Sequence, residues 1–353
     1  MKKINILVTG AGSGVGQSIL KSLKISKLKL KIIASDINIF NAALFRYDDS
    51  IVIPKVEDKD SLKKFIIILK KYKIKILFVG SEYETQFFSI HKSIIEKKTD
   101  VMICVSPLQT INIAGDKYLT FKFLKDNDLP FAMTYIPKNL NDAKKIIKKC
   151  RLPVFLKDRF GTSSRNIFLI KKKKDLDKYF NIVPNSMIQE YAGYKGNELR
   201  DEYTCSLFFT KEKKLVGPFI ARRVLKYGTS WTVEVKKFDK FNKFLVDIAK
   251  LLPSVGSLNI QFRDGPKGPI PFEFNARFSG TTSIRSYFGF NEPEMFIKNY
   301  YLNKIITNPK IKNGIVLRYI DEVFLNDVDQ ANKKLSITKG KKKKLVLKLK
   351  PLH

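Results

Sequence analysis

The chain has 353 residues, a formal net charge of +34, 44% hydrophobic and 28% charged residues. That length allows roughly two or three cores, and no apolar run approaches the roughly 18 to 20 residues a membrane-spanning helix needs. Three dispersed cysteines, with His91 and His353 as the only histidines, argue against a disulfide framework, a structural zinc site and histidine-based catalysis.

In chain order, residues 1 to about 110 alternate strand and helix patterns. Ile4 to Thr9, Lys31 to Ser35, Ser50 to Ile53, Ile74 to Val79 and Val101 to Val105 read as strands, and Val15 to Leu23, Ser61 to Tyr72 and Glu84 to Lys97 as helices. Such alternation predicts an open, mainly parallel sheet with helices on both faces. Asp116 opens a further helix that ends at Leu129-Pro130. From Pro130 to Glu190 short strands are separated by Lys-rich turns, with a helix at Asn141 to Cys150. From Tyr203 to Phe278 the pattern is antiparallel strand interrupted by a helix at Lys240 to Leu251, and a last helix spans about Glu292 to Tyr301. Met1-Lys2-Lys3 runs straight into a strand pattern rather than a signal peptide, so a cytoplasmic location is the expectation.

The charge invites a polyanion-binding reading. Only 11 of the 67 basic residues are arginine, however, and the lysines are spread over nearly every helix and loop, as in compositional drift. Nine of the 11 arginines lie between Arg151 and Arg285, and arginine is the side chain whose planar fork grips phosphate and carboxylate. No specific nucleic-acid partner is expected. The alternation of Leu345, Leu347 and Leu349 within Lys341 to Lys350 reads as a solvated edge strand.

Thr9-Gly10-Ala11-Gly12-Ser13-Gly14-Val15-Gly16 joins a strand to a helix, with Asp36 following the second strand. This is the context of a dinucleotide site. Ser106, Tyr118 and Lys122 imitate the Ser, Tyr and Lys of short-chain dehydrogenases. A short-chain dehydrogenase or epimerase is therefore one alternative function, and a non-catalytic polyanion-binding protein another. The dehydrogenase reading leaves too few strands before Tyr118 and everything after Lys122 unexplained.

The densest polar pattern lies in Gly256 to Arg277. Two apolar runs flank Asp264-Gly265, and residues two apart share a strand face. Glu273, Asn275 and Arg277 are expected on one face, joined by Gln261 from the partner strand, with Phe272, Phe274 and Phe278 on the other. Oxygen ligands so arranged suit magnesium, which keeps phosphates as its other ligands. Upstream stand Asp116-Lys117, the strand Pro153 to Lys157, the polar turn Asp158 to Asn166 containing Ser163 and Ser164, the strand Ser186 to Glu190 followed by Tyr191 and Ala192, then Glu202, Arg222 and Arg223. A strand-end lysine before a small-residue loop can neutralise phosphates.

This ordered set resembles the ATP-grasp superfamily, in particular the branch similar to the carbamoyl phosphate synthetase large subunit and biotin carboxylase. The resemblance implies an α/β (α+β) chain: a Rossmann-like preceding domain at residues 1–111, a two-lobed ATP-grasp domain at 112–308 with its small lobe at about 130–192, and a basic extension at 309–353. It implies ATP phosphates on Lys117, Lys157 and the Ser163-Ser164 loop, adenine at Glu190, Tyr191 and Ala192, and ribose on Glu202, for which Glu198 competes. Gln261, Glu273 and Asn275 would hold one or two Mg2+ ions, with Mn2+ as a substitute, and Arg277 would face the transferred phosphoryl group. Asp158 stands where many relatives have proline, and the loop after it holds only one glycine, Gly161. From charge and adjacency, Arg222, Arg223 and Arg285 with Ser279 to Ser283 are candidates for gripping the acceptor. The implied activity is ATP-dependent joining of a small-molecule carboxylate to an amine through an acyl phosphate, with ADP and phosphate released. Its partners are those small molecules, and the sequence leaves a homodimer open.

Overall fold

The computed structural model describes residues 3–47, 49–161, 166–193 and 201–324. Strands β1 (Ile4–Val8), β2 (Leu30–Asp36), β3 (Asp49–Val52), β4 (Ile76–Phe78) and β5 (Met102–Cys104) pair in parallel in the order β3-β2-β1-β4-β5. Chain direction across this sheet reverses between β1 and β4. That is the switch point of a doubly wound sheet, where a crevice opens beyond the carboxyl ends of the strands. Gly10 and Gly80 follow those two strand ends, and both are compelled by packing. Gly10 has φ +54, and a Cβ on Gly80 would stand 2.2 Å from the Thr9 carbonyl oxygen. A short helix, Leu108–Gly115, not foreseen in the sequence, leads out of this unit.

A four-stranded antiparallel sheet follows: β6 (Thr134–Tyr135), β7 (Val154–Asp158), β8 (Ile167–Ile170) and β9 (Ser186–Glu190), ordered β6-β9-β7-β8. The six-stranded sheet contains β10 (Glu202–Phe209), β11 (Leu215–Lys226), β12 (Thr229–Val235), β13 (Gly256–Gly265), β14 (Gly268–Asn275) and β15 (Gly314–Leu317), ordered β14-β13-β10-β11-β12-β15 and wholly antiparallel. Every residue of β10 is buried, as a strand covered on both faces requires.

The cores divide the molecule differently from the sheets. Leu7, Leu77 and Ile103 of the parallel sheet share one apolar cluster with Leu258, Ile260 and Phe274 of the large sheet. A second cluster joins Phe78 edge-on to Phe278 and Phe296, at 5.6 and 5.5 Å between ring centroids. Each fully buried phenylalanine contributes about 1.5–3 kcal/mol, so these two units form one body. The small sheet has its own core around Ile147, Val154, Leu156 and Ile188. That cluster shares no residue with the other two.

Two expectations are corrected. Gly314–Leu317, within the expected extension, pairs with β12 as the outer strand of the large sheet. The register between β13 and β14 shifts after Gln261, which faces Glu273, so that Phe262 faces Pro271 and Phe272 is the extra residue of a bulge. Its ring lies 5.8 Å from the Arg263 guanidinium, on the polar face and not with Phe274. The Lys341 to Lys350 strand reading lies outside the described residues.

Candidate active site

The register of β13 and β14 sets Gln261 opposite Glu273 and Asn259 opposite Asn275. These side chains form a continuous polar wall. Glu273 Oε1 accepts from Gln261 Nε2 at 2.8 Å and from Asn275 Nδ2 at 3.0 Å. Asn259 donates to Thr204 Oγ1 and the Cys205 carbonyl at 2.9 and 2.6 Å, which anchors the wall to β10.

Along β11 successive side chains alternate in direction. Arg223 is buried and reaches the polar wall, donating to Glu202 Oε1 through Nε and Nη2 at 3.2 and 3.0 Å and to Gln261 Oε1 at 2.5 Å. Arg222 points the other way and pairs with Glu234 at 2.5 Å. The expectation that both arginines grip the acceptor therefore fails for Arg222, because neighbours on a strand cannot share a face. Glu202 is buried between Arg223 and Arg263, and both of its oxygens are engaged. A ribose there would share that carboxylate with two guanidinium groups. Its competitor Glu198 lies outside the described residues, as do Ser163 and Ser164.

Lys157, next to last in β7, is buried and donates to Gln189 Oε1 at 2.8 Å; Gln189 in turn donates to Thr134 Oγ1 at 2.9 Å. Burial and the nearby Lys117 push its pKa down to about 7, against the attraction of Glu273, with Arg263 pushing further down. A buried ammonium flanked by two cations, with Glu273 as the carboxylate that opposes them, is an environment that favours a further anion. Lys117 begins the helix Lys117–Asp126 and donates to the carbonyls of Arg159 and Gly161 at 3.3 and 2.5 Å. Burial lowers its pKa too, opposed by Glu273 and Glu82. Asp116 caps the same helix through Tyr118 and Leu119 and takes the Arg159 guanidinium at 2.7 and 2.5 Å. The turn after β7 is thus clamped to the helix that carries Lys117. Glu190 ends β9, with its amide donating to the Met133 carbonyl at 2.9 Å. Tyr191 lies tilted against Phe155, with ring centroids 5.4 Å apart, and under Arg263 at 5.6 Å, where the small sheet joins the large one.

Arg277 is held by Glu82 at 3.0 Å and by the Phe278 carbonyl at 2.8 Å. It lines a cleft of about 510 Å³ together with Lys117, Arg223, Gln261, Glu273 and Asn275. Arg285 is not at this surface. It is fully buried with Glu292 at 3.0 Å and donates to Ser279 Oγ at 2.9 Å, so it positions the loop after β14 and cannot grip an acceptor. Sequence reasoning missed Glu82, Arg159, Arg263 and Arg318. Arg263 carried a readable signal, since it sits two residues after Gln261 on the same strand.

The glycine run does not build a dinucleotide site. A Cβ on Gly12 would stand 1.5 Å from Asn41 Nδ2, so the Asn41 side chain occupies the space above that glycine. Asp36 is spent on the amides of Gly12 and Asn38 at 2.9 and 3.0 Å. Ser106 donates to the Ala276 carbonyl at 3.0 Å, while the Tyr118 ring packs on Phe121 and under Arg159.

The wall fits magnesium. Among the described residues no cluster of three or more His, Cys, Asp or Glu side chains is placed to hold a metal. One carboxylate, Glu273, stands with the amide oxygens of Gln261 and Asn275. Such a sparse oxygen set suits an ion that draws its other ligands from substrate phosphates and water.

Residues 6–103 match the family described as PylC-like, N-terminal domain, and residues 114–202 the RimK-like ATP-grasp domain. A coenzyme γ-F420-2:α-L-glutamate ligase of Methanocaldococcus jannaschii is 27% identical over 99 residues, 27% of this chain and 34% of that protein. The match thus spans about a third of that curated relative. In fold, the chain is similar to biotin carboxylase from Campylobacter jejuni, solved as a β-γ-ATP complex, with a TM-score of 0.69, 15% identity and coverage of 89% and 74% of the two chains. N5-carboxyaminoimidazole synthetase from Staphylococcus aureus, complexed with ADP, gives a TM-score of 0.66, 14% identity and coverage of 96% and 98%. No helix among the described residues is long and apolar enough to cross a membrane. The arrangement of a parallel sheet, a separate small antiparallel lobe and a large antiparallel sheet is thus a fold shared with those solved structures, and within it residues 6–103 are similar to the PylC-like N-terminal domain and residues 114–202 to the RimK-like ATP-grasp domain.

Proposed function

We propose that this protein is an ATP-dependent ligase that phosphorylates a small-molecule carboxylate and joins the resulting acyl group to an amine. The observation that carries the reading is the convergence of Lys117, Lys157, Arg223 and Arg277 on the wall of Gln261, Glu273 and Asn275, with Lys157 buried and its pKa pushed down to about 7. The glutamate ligase relative supports the same class of reaction.

In this reading Lys157 and Lys117 bind ATP phosphates, and the segment at Glu190, Tyr191 and Ala192 takes the adenine. Glu273 with Gln261 and Asn275 would hold magnesium, which would supply charge neutralisation on the phosphate oxygens. Arg277, fixed by Glu82, faces the phosphoryl group, and Arg223 holds the polar wall in register. A carboxylate oxygen of the acceptor attacks the γ-phosphorus and ADP leaves. The amine nitrogen then attacks the acyl carbon, phosphate leaves, and the amine gives up a proton. Positioning and charge carry such a reaction without a protein nucleophile. The small lobe, with its own core, excludes water as it closes.

Nucleotide binding tests this reading through its protons. A phosphate beside Lys157 raises a pKa that stands near 7 without nucleotide, so binding takes up protons between about pH 7 and 9 and little below pH 6, where Lys157 is already charged. Affinity therefore falls as pH rises through 7. Calorimetric titration with ATP–magnesium in buffers of different ionisation enthalpy reads this uptake directly. Tight NADH binding without ATP binding would refute the proposal.

A further inference from the structure

The cleft extends away from the nucleotide residues to the switch point of the parallel sheet, where the amino-terminal end of the helix Gly14–Lys24 lines it together with Lys21, Gly280 and Arg318. Five cations line the whole cleft, against the two carboxylates Glu82 and Glu273. Arg277 has Glu82, Arg223 has Glu202, and Lys117 feels Glu273. Among the described residues, Lys21 and Arg318 form no ion pair with a carboxylate.

Their placement is built. Arg318 follows β15 and donates to the carbonyls of Ser230 and Gly280 at 3.0 and 3.4 Å, which orients the guanidinium while leaving further N–H groups for the cleft. Ser18 binds the Gly280 carbonyl at 2.8 Å and lies 3.2 Å from Ser283 Oγ, fastening the helix to the loop after β14. A Cβ on Gly14 would meet nothing within 4 Å, so this wall is open to a ligand. Only two arginines lie outside Arg151 to Arg285, namely Arg46 and Arg318. Both bear on Lys21, whose pKa is lowered first by burial and then by these two charges. Lysine drift across the surface does not place the two outlying arginines around one cleft lysine.

Building on the ligase reading above, we infer that the acceptor carries a second anionic group, a carboxylate or a phosphate, held by Lys21 and Arg318 at the switch-point end of the cleft. The reacting carboxylate lies toward Arg277, and the distal anion sets which acceptors are used. Two like charges with no counterion among the described residues, beside the positive end of a helix, give an anion both Coulomb attraction and directed donors.

The probes are inorganic phosphate, succinate and butyrate, titrated calorimetrically at constant ionic strength into protein loaded with a non-hydrolysable ATP analogue and magnesium, and into nucleotide-free protein. Saturable binding of phosphate or succinate at least about tenfold tighter than butyrate is expected, the scale of a lost charge-assisted hydrogen bond. Tighter phosphate assigns a phosphorylated acceptor, and tighter succinate a dicarboxylate. Lys21→Met and Arg318→Met, each checked for unchanged circular dichroism, should each weaken that binding about tenfold. Equal binding of all three probes, or variants that bind like the wild type, would overturn the inference. If the ATP analogue itself does not bind, the ligase reading falls, while the nucleotide-free titrations still decide the anion site.

Discussion

Glu273→Gln is expected to abolish ADP formation, with a fall in kcat of roughly 10²–10³-fold or more, on the scale of losing one preorganised electrostatic group. Glu273 is the single carboxylate among the three proposed metal-holding side chains, and it attracts both Lys117 and Lys157. The amide is isosteric and keeps one oxygen to accept from Gln261 or Asn275, so stability should change by only about 1 kcal/mol. Removing the charge withdraws the anchor for a divalent ion and leaves the two lysines without their counter-charge. Coupled ADP assays beside thermal melting separate the two effects. Unchanged turnover in a folded variant would refute the metal assignment.

The largest effect on stability is expected at Arg285→Met. Arg285 and Glu292 are both fully buried and bonded at 3.0 Å, and Glu292 also receives the Ser206 hydroxyl. Deleting the guanidinium leaves a carboxylate inside the core, a loss on the order of 3–5 kcal/mol. Adding Glu292→Gln should recover a large part of it, since the stranded charge goes with its partner. Arg285 also bonds Ser279 at 2.9 Å and lies 3.5 Å from Thr204 Oγ1, which accepts from Asn259. The single variant should therefore loosen the loop after β14 and lose activity even where it remains folded. Urea unfolding of the two variants measures this, and a loss below about 1 kcal/mol for Arg285→Met would contradict the account.

The polar wall was legible because strand periodicity is a local rule. Gln261, Glu273 and Asn275 needed only a register, and the turn around Asp264-Gly265 supplied it. The bulge at Phe272 was not legible, since nothing in Pro271-Phe272 marks which residue is extra. Arg222 and Arg223 had to diverge, but which one faces the wall depends on pairing with Glu234 across β12. Arg285 resembles a substrate-gripping residue because charge is usually solvated, and its burial depends on Glu292, which in sequence marks only the start of a helix. The glycine run had the right spacing for a dinucleotide. What closes it is Asn41, which caps the four-residue helix Ala42–Phe45, an element too short to show a period in the sequence. Arg318 was hidden for a longer-range reason: its strand joins the large sheet 79 residues after β12 ends, so only the tertiary fold brings it to the cleft.

The central claim is acyl-phosphate chemistry at this wall, and hydroxylamine trapping tests it most directly. With ATP, magnesium and a panel of mono- and dicarboxylates, the account predicts ADP release that depends on one class of carboxylate, with an equal amount of acyl hydroxamate formed from it. ADP release that is indifferent to carboxylate and yields no hydroxamate would contradict it.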